Sequence, residues 1–226
     1  MPHDPTPDAA GGPEPVYLDL ASWPRRDTFE FYRAFDKPYF NLCTRLDVAA
    51  LKAAAHEAGA RFSLACHFMA IRLANEIAPF RYRLEGGRVR VHPQVHGSTT
   101  VLRDDGSFAF ANLPCERRFA DFVARAAPLI EAARQGGFEP HADSTAVLHF
   151  TTLPWVHFSS FSHARNWGRE DSVPKFAFGR ADADGERLWM PMAVEVLHAL
   201  MDGAHVGRFV QGFEAALREP LDWLGR

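Results

Sequence analysis

The sequence predicts an α/β (α+β) two-layer sandwich, a mixed β-sheet packed by helices, on three observations. Stretches with a two-residue apolar period and stretches with a helical period are interleaved irregularly, which fits neither a bundle nor an all-β sandwich. Beyond residue 15 we find no internal repeat and no linker-like segment. The chain has 226 residues, 47% of them hydrophobic, and a chain of this size buries roughly 70% of its unfolded surface without disulfide staples. Residues 1–15 carry five prolines beside Gly11 and Gly12. They hold too little apolar surface to offset chain entropy and are expected to be a flexible tail. A single domain is expected over 16–226.

The elements follow in order. Val16 to Leu20 alternates as a short strand, and Arg26 to Arg33 reads as a helix. Phe40 to Asp47 is strand-like, and Asp47 can cap an alanine-rich helix from Val48 to Ala58 that stops at Gly59. Ser63 can cap the next helix, Leu64 to about Ile77, which Pro79 ends. Arg81 to Leu84 and Arg88 to Val91 flank Gly86-Gly87 as a hairpin. A second pair, Ser98 to Leu102 and Phe108 to Phe110, flanks Asp104-Asp105-Gly106. Glu116 to Arg134 has helical spacing closed by Gly136-Gly137. Strands return at Ala146 to Thr152, Trp155 to Phe158, Lys175 to Phe178 and Leu188 to His198, with a turn at Asp182 to Gly185. A last helix begins near Gly203 or His205 and aligns Val206, Phe209, Val210, Phe213 and Leu217.

Charge narrows the function classes. Twenty-five basic and 28 acidic side chains give a net charge of -3, with no basic stripe of the kind a phosphate backbone requires. No apolar run approaches the ~20 residues that span a bilayer. The first residues have neither the basic nor the apolar region of a secretory signal. Cys43, Cys66 and Cys115 are odd in number and widely spaced, without metal-type pairing. A soluble, reduced, cytoplasmic protein that binds neither nucleic acid nor membrane is expected.

The segment Val194-Glu195-Val196-Leu197-His198-Ala199-Leu200-Met201-Asp202-Gly203 carries the chemistry. An apolar strand delivers His198 to the rim of a sheet, where clefts form, and an imidazole of pKa ~6.5 suits general-base work. Asp202 can cap the helix that follows. The pattern is short, and a lone histidine is more often structural than catalytic. His157, His163 and His205 lack ligand spacing, so no metal is expected.

Four separated segments, in the same order, resemble the chloramphenicol acetyltransferase family: Trp23 to Arg33; Thr100-Val101 with Ser107-Phe108; Leu153-Pro154-Trp155-Val156-His157-Phe158-Ser159-Ser160-Phe161; and Met190 to His198 running into Asp202-Gly203 and His205 to Arg208. The resemblance spans about residues 16 to 218. It implies a homotrimeric acetyl-CoA-dependent O-acetyltransferase with sites at subunit interfaces, acetyl-CoA being a co-substrate and no cofactor being bound. His198 matches the family's general base, which deprotonates the acceptor hydroxyl. Ser160 matches the serine that bonds the oxyanion. Asp202 matches an aspartate paired with an arginine, here Arg25. Phe31, Tyr32, Phe108 and Phe158 fall on acceptor-pocket positions. Without the resemblance, Ser160 reads as a polar strand residue, Arg25 as a solvated charge and the phenylalanines as core.

The chain departs from the family pattern in places. Leu197 replaces a second histidine. Ala177 supplies no hydroxyl for a bridging water, and Ala181 no ring for CoA. Ser162 to Trp167 is more cationic than its counterpart, and a pocket wall bearing His163 or Arg165 suits an acidic or strongly polar acceptor. Acetyl transfer to chloramphenicol or a more polar alcohol is therefore expected. The alternatives are an acyltransferase of the same fold with another donor or acceptor, and a non-catalytic binding member.

Overall fold

The computed structural model describes residues 14–136, 144–165 and 170–225. Nearly all of the expected tail, together with Gly137 and Asn166-Trp167, lies outside the described residues. The elements run β1 (Val16–Tyr17), α1 (Arg26–Arg33), β2 (Tyr39–Asp47), α2 (Ala49–Glu57), α3 (Phe62–Glu76), β3 (Tyr82–Glu85), β4 (Arg88–Val91), β5 (His96–Leu102), β6 (Phe108–Leu113), α4 (Phe119–Gln135), β7 (Val147–Leu153), β8 (Lys175–Gly179), β9 (Asp182–Asp184), β10 (Arg187–Leu197), α5 (Gly203–Arg218) and α6 (Leu221–Leu224).

Seven strands form the main sheet in the order β2-β10-β8-β7-β5-β6, with β9 pairing β10 off that path. The β5–β7 and β7–β8 pairs are parallel and the others antiparallel, so the sheet is mixed. A small sheet, β1-β4-β3, packs beside it. Its hairpin turns at Gly86 and Gly87, with φ of 56° and 75°, the left-handed conformations that a tight two-residue turn requires.

Alternation along β10 separates the two faces of the sheet. Met192, Val194 and Val196 point into the large core shared with α2, α3, α4 and α5, beside Phe150, Phe176, Phe178, Phe209 and Phe213. Ala193, Glu195 and Leu197 point the other way, and all three are buried. On that second face the 156–165 segment covers the middle of the sheet: Phe158 packs on Ala177 and Ala193 with Phe161 alongside. Every residue of β8 is buried, the mark of a strand covered on both faces.

Several expectations shift. The first strand shrinks from five residues to two. Helix α2 starts at Ala49, but Asp47 Oδ1 still accepts from the Ala49 N–H at 3.2 Å, and from the Leu188 N–H at 3.1 Å. Helix α3 starts at Phe62, so Ser63 lies inside its first turn; Phe62 packs on the core, and that burial sets the start. Trp155 to Phe158 is a turn and loop, not a strand. The expected turn at Asp182 to Gly185 contains strand β9, and the chain reverses at Gly185 and Glu186.

Candidate active site

His198 is the first residue after β10, in a turn that α5 terminates. Its N–H donates to the Pro38 carbonyl at 2.7 Å, tying the turn to the start of β2. The imidazole stacks on Tyr32 with centroids 3.8 Å apart and planes 10° apart, and Phe40 closes a second side at 4.8 Å. Nδ1 is buried with no hydrogen-bond partner among the described residues, which makes Nε2 the candidate to meet a substrate. Beneath the turn, Leu197, Ala199 and Leu200 join Phe29 and Val89 in a second, smaller core.

Arg25 grips this turn. Its Nε donates to Asp202 Oδ2 at 3.2 Å, and its two terminal nitrogens donate to the carbonyls of Ala199 (3.2 Å) and His198 (3.3 Å). Asp202 also caps α5: Oδ1 accepts from the Ala204 N–H at 3.0 Å, and His205 Nδ1 lies 3.1 Å from the Asp202 nitrogen. Burial acts to raise the Asp202 carboxyl, but the charges of His205 and Arg25 prevail and hold it below the usual range. His205 sits below the usual histidine value because burial disfavours its charged form.

The structure brings only some of the candidate residues together. Phe31 and Tyr32 are with His198, and Phe31, Tyr32 and Phe35 form a ring cluster with centroids 5.0–5.3 Å apart. Phe31 is 60% and Phe35 47% exposed, so the cluster opens to solvent. Ser160 is exposed and lies in the loop, not on a strand. Its neighbours Phe158 and Phe161 sit over the Ala193–Glu195 stretch, Asn41 being the register partner of Glu195 and donating to the Phe161 carbonyl. That is three to five residues short of His198, about 10–16 Å at a strand's ~3.3 Å per residue. Phe108 lies on β6, four strands from β10, roughly 19 Å at ~4.8 Å per strand. Phe158 is 8% exposed and packed as core.

Arg165 departs from expectation as well. Its side chain is 2% exposed and fully engaged with Glu195 and Asp171, so it presents no free charge to an acceptor. Sequence reasoning missed Phe35, Phe40 and Glu195. The first two are aromatics flanking α1 and opening β2, a signal that was available. Among the described residues, no group of three or more His, Cys, Asp or Glu side chains is placed to hold a metal.

A mixed sheet backed by helices is a fold this chain shares with solved acetyltransferases. A dihydrolipoamide acetyltransferase from Azotobacter vinelandii superposes with a TM-score of 0.64 at 21% identity, over 98% of this chain and 99% of that one. Within the class the match sharpens. A solved chloramphenicol acetyltransferase superposes at 0.84 with 25% identity, covering 90% of this chain and all of the other. The chloramphenicol acetyltransferase of Streptomyces acrimycini is 31% identical over 216 residues, 94% of this chain and 98% of its own length. The model of the chloramphenicol acetyltransferase family matches residues 16–214, and this chain belongs to that family.

Proposed function

We propose that the protein transfers the acetyl group of acetyl-CoA to a hydroxyl of chloramphenicol or of a related, more polar alcohol. The observation that carries this is His198 itself. The imidazole is pinned between Tyr32 and Phe40 with Nδ1 buried, which assigns the work of a general base to Nε2. Nε2 removes the hydroxyl proton while the alcohol oxygen attacks the thioester carbonyl. The tetrahedral oxyanion takes a hydrogen bond from Ser160, a donor worth ~2.7–4 kcal/mol of barrier. Collapse breaks the C–S bond, and the imidazolium returns its proton to the CoA thiolate. No acyl-enzyme is needed, because holding both substrates against one base supplies the advantage of proximity.

Arg25 and Asp202 hold the turn and take no proton. Within one chain Ser160, Phe108 and Phe158 are remote from the imidazole, so we read the site as shared. His198 with Tyr32 from one subunit would face the Ser160 loop of another in a homotrimer. The exposed apolar surface of Phe31, Phe35, Leu102, Phe108, Trp155 and Val156 supports a covering partner. No helix among the described residues is long and apolar enough to cross a membrane, and we take the site of action to be the cytoplasm.

A thiol-release assay with acetyl-CoA and a panel of alcohols, chloramphenicol included, tests the reading. At least one acceptor should release CoA. His198→Ala should lower turnover by the ~10²–10⁴-fold typical of a lost general base while leaving the assembly intact. Turnover unchanged in that variant would remove His198 from its role.

A further inference from the structure

Among the described residues, the densest set of buried charge outside the His198 turn lies on the face of the sheet that the 156–165 segment covers, three residues back along β10. Glu195 is 5% exposed. Its Oε1 accepts from Arg165 Nε at 2.7 Å and its Oε2 from the His163 N–H at 3.0 Å. Arg165 Nη1 donates to Asp171 Oδ1 and to the Val173 carbonyl, both at 3.2 Å. Lys175 Nζ donates to Asp171 Oδ2 and to the Ala164 carbonyl, both at 2.8 Å. Two cations and two anions balance. Burial alone would raise the Glu195 carboxyl, but the hydrogen bonds from His163 and Arg165 prevail and hold it at about 2.

Apolar residues of similar volume generally stabilise a core as well as such a cluster does, so stability is a weak reason for burying these charges. Direction is what charged forks supply and apolar contacts do not. The Arg165 guanidinium lies 4.2 Å from the centre of the Tyr39 ring, and the Tyr39 hydroxyl donates to the Asp171 carbonyl at 2.7 Å. Tyr39 is the register partner of Leu197, the residue before His198. The cluster thus joins the loop that carries Ser160, the first residue of β2 and the last turn of chain before the imidazole.

We propose that Arg165 is a positioning residue: through Glu195, Asp171 and Tyr39 it fixes the Ser160-bearing loop relative to the strand end that presents His198. This rests on the reading of His198 and Ser160 above, and the first arm of its test does not depend on that reading. In crystal structures of the parent and of Arg165→Met, the 159–165 segment should move against β10 by ~1 Å or more. A shift below ~0.5 Å, within the tolerance of a functional site, overturns the proposal.

The second arm is kinetic, at a temperature where circular dichroism shows every variant folded. A misplacement of ~1 Å can cost ~100-fold, so kcat of Arg165→Met should fall ~10–100-fold, and an unchanged kcat overturns the proposal. KM for either substrate should change less than ~3-fold, since the lost interaction belongs to the transition state. Arg165→Lys, which keeps the charge without the fork, should recover the melting midpoint more fully than kcat. The double variant Arg165→Met/Glu195→Leu should restore the midpoint while kcat stays low; if kcat returns with it, the role is stability alone and the proposal falls. A parent that moves no acetyl group would overturn the reading of the site, and the crystallographic arm would still decide the role of Arg165.

Discussion

At the scale of single residues, titration of buried groups sets the acid limit of the fold. Burial pushes His67 down to about 4. His92 also falls to about 4, through burial first and then the nearby charges of Arg83 and Arg90. Both are neutral in the fold, yet in an unfolded chain each takes a proton near ~6.5. Stability is therefore complete above ~6.5 and lost as pH falls toward 4, by roughly 3 kcal/mol for each histidine. Glu195 opens a second window. Its folded value of about 2 lies below the ~4.3 of an unfolded glutamate, so its contribution is present above ~4.3 and lost below it, again roughly 3 kcal/mol. Urea midpoints measured from pH 7.5 to 2.5 should fall in two steps, and His67→Phe should flatten the upper one.

Individual elements show where the sequence was legible. Local chemistry was: Asp202 reads as a cap because capping needs only the next few residues, and the structure shows that bond. The separate demands on Asp202 can be tested apart. Asp202→Asn keeps a capping side chain and loses the part-exposed charge pairs with Arg25 and His205, so it should cost less than ~1 kcal/mol. Asp202→Ala loses the cap as well and should cost about 1–2 kcal/mol in denaturant midpoints. Close approach matters in β5, where a Cβ on Gly97 would lie 2.6 Å from Ile71 Cδ1 and 3.2 Å from Leu113 Cβ. Gly97→Ala is expected to destabilise by about 1–3 kcal/mol, as overpacking does. Long-range charge was not legible. Nothing local to Lys175 or Glu195 says what covers them, and Arg165 was expected on a pocket wall facing the acceptor. Only the tertiary arrangement, which lays the 156–165 loop over a sheet face, buries all three together.

For the whole molecule, the separation of candidate groups dictates the strongest experiment. A chain that holds His198 far from Ser160 needs a second copy if both act on one substrate. Co-expressed His198→Ala and Ser160→Ala chains should form mixed assemblies with turnover that neither variant has alone, read as CoA release after co-purification through two different tags. Absence of recovery in assemblies shown to be mixed would confine the site to one chain. Fold class was readable from interleaved periodicities, and the family, with Tyr32, Arg25 and Asp202 around the His198 turn, from separated motifs. Strand order was not, because it depends on which edges find each other across long connections, and the parallel β5–β7–β8 stretch has no local signature.

Arg25 and Asp202 are 177 residues apart in the chain, and contacts of such separation form late, since the loop between them must close first. On the ribosome the guanidinium emerges long before its partner exists. On the proposed role of His198, a translation product cut short before α5 should have neither an ordered histidine turn nor partial activity, so that catalysis would report that synthesis had passed that helix.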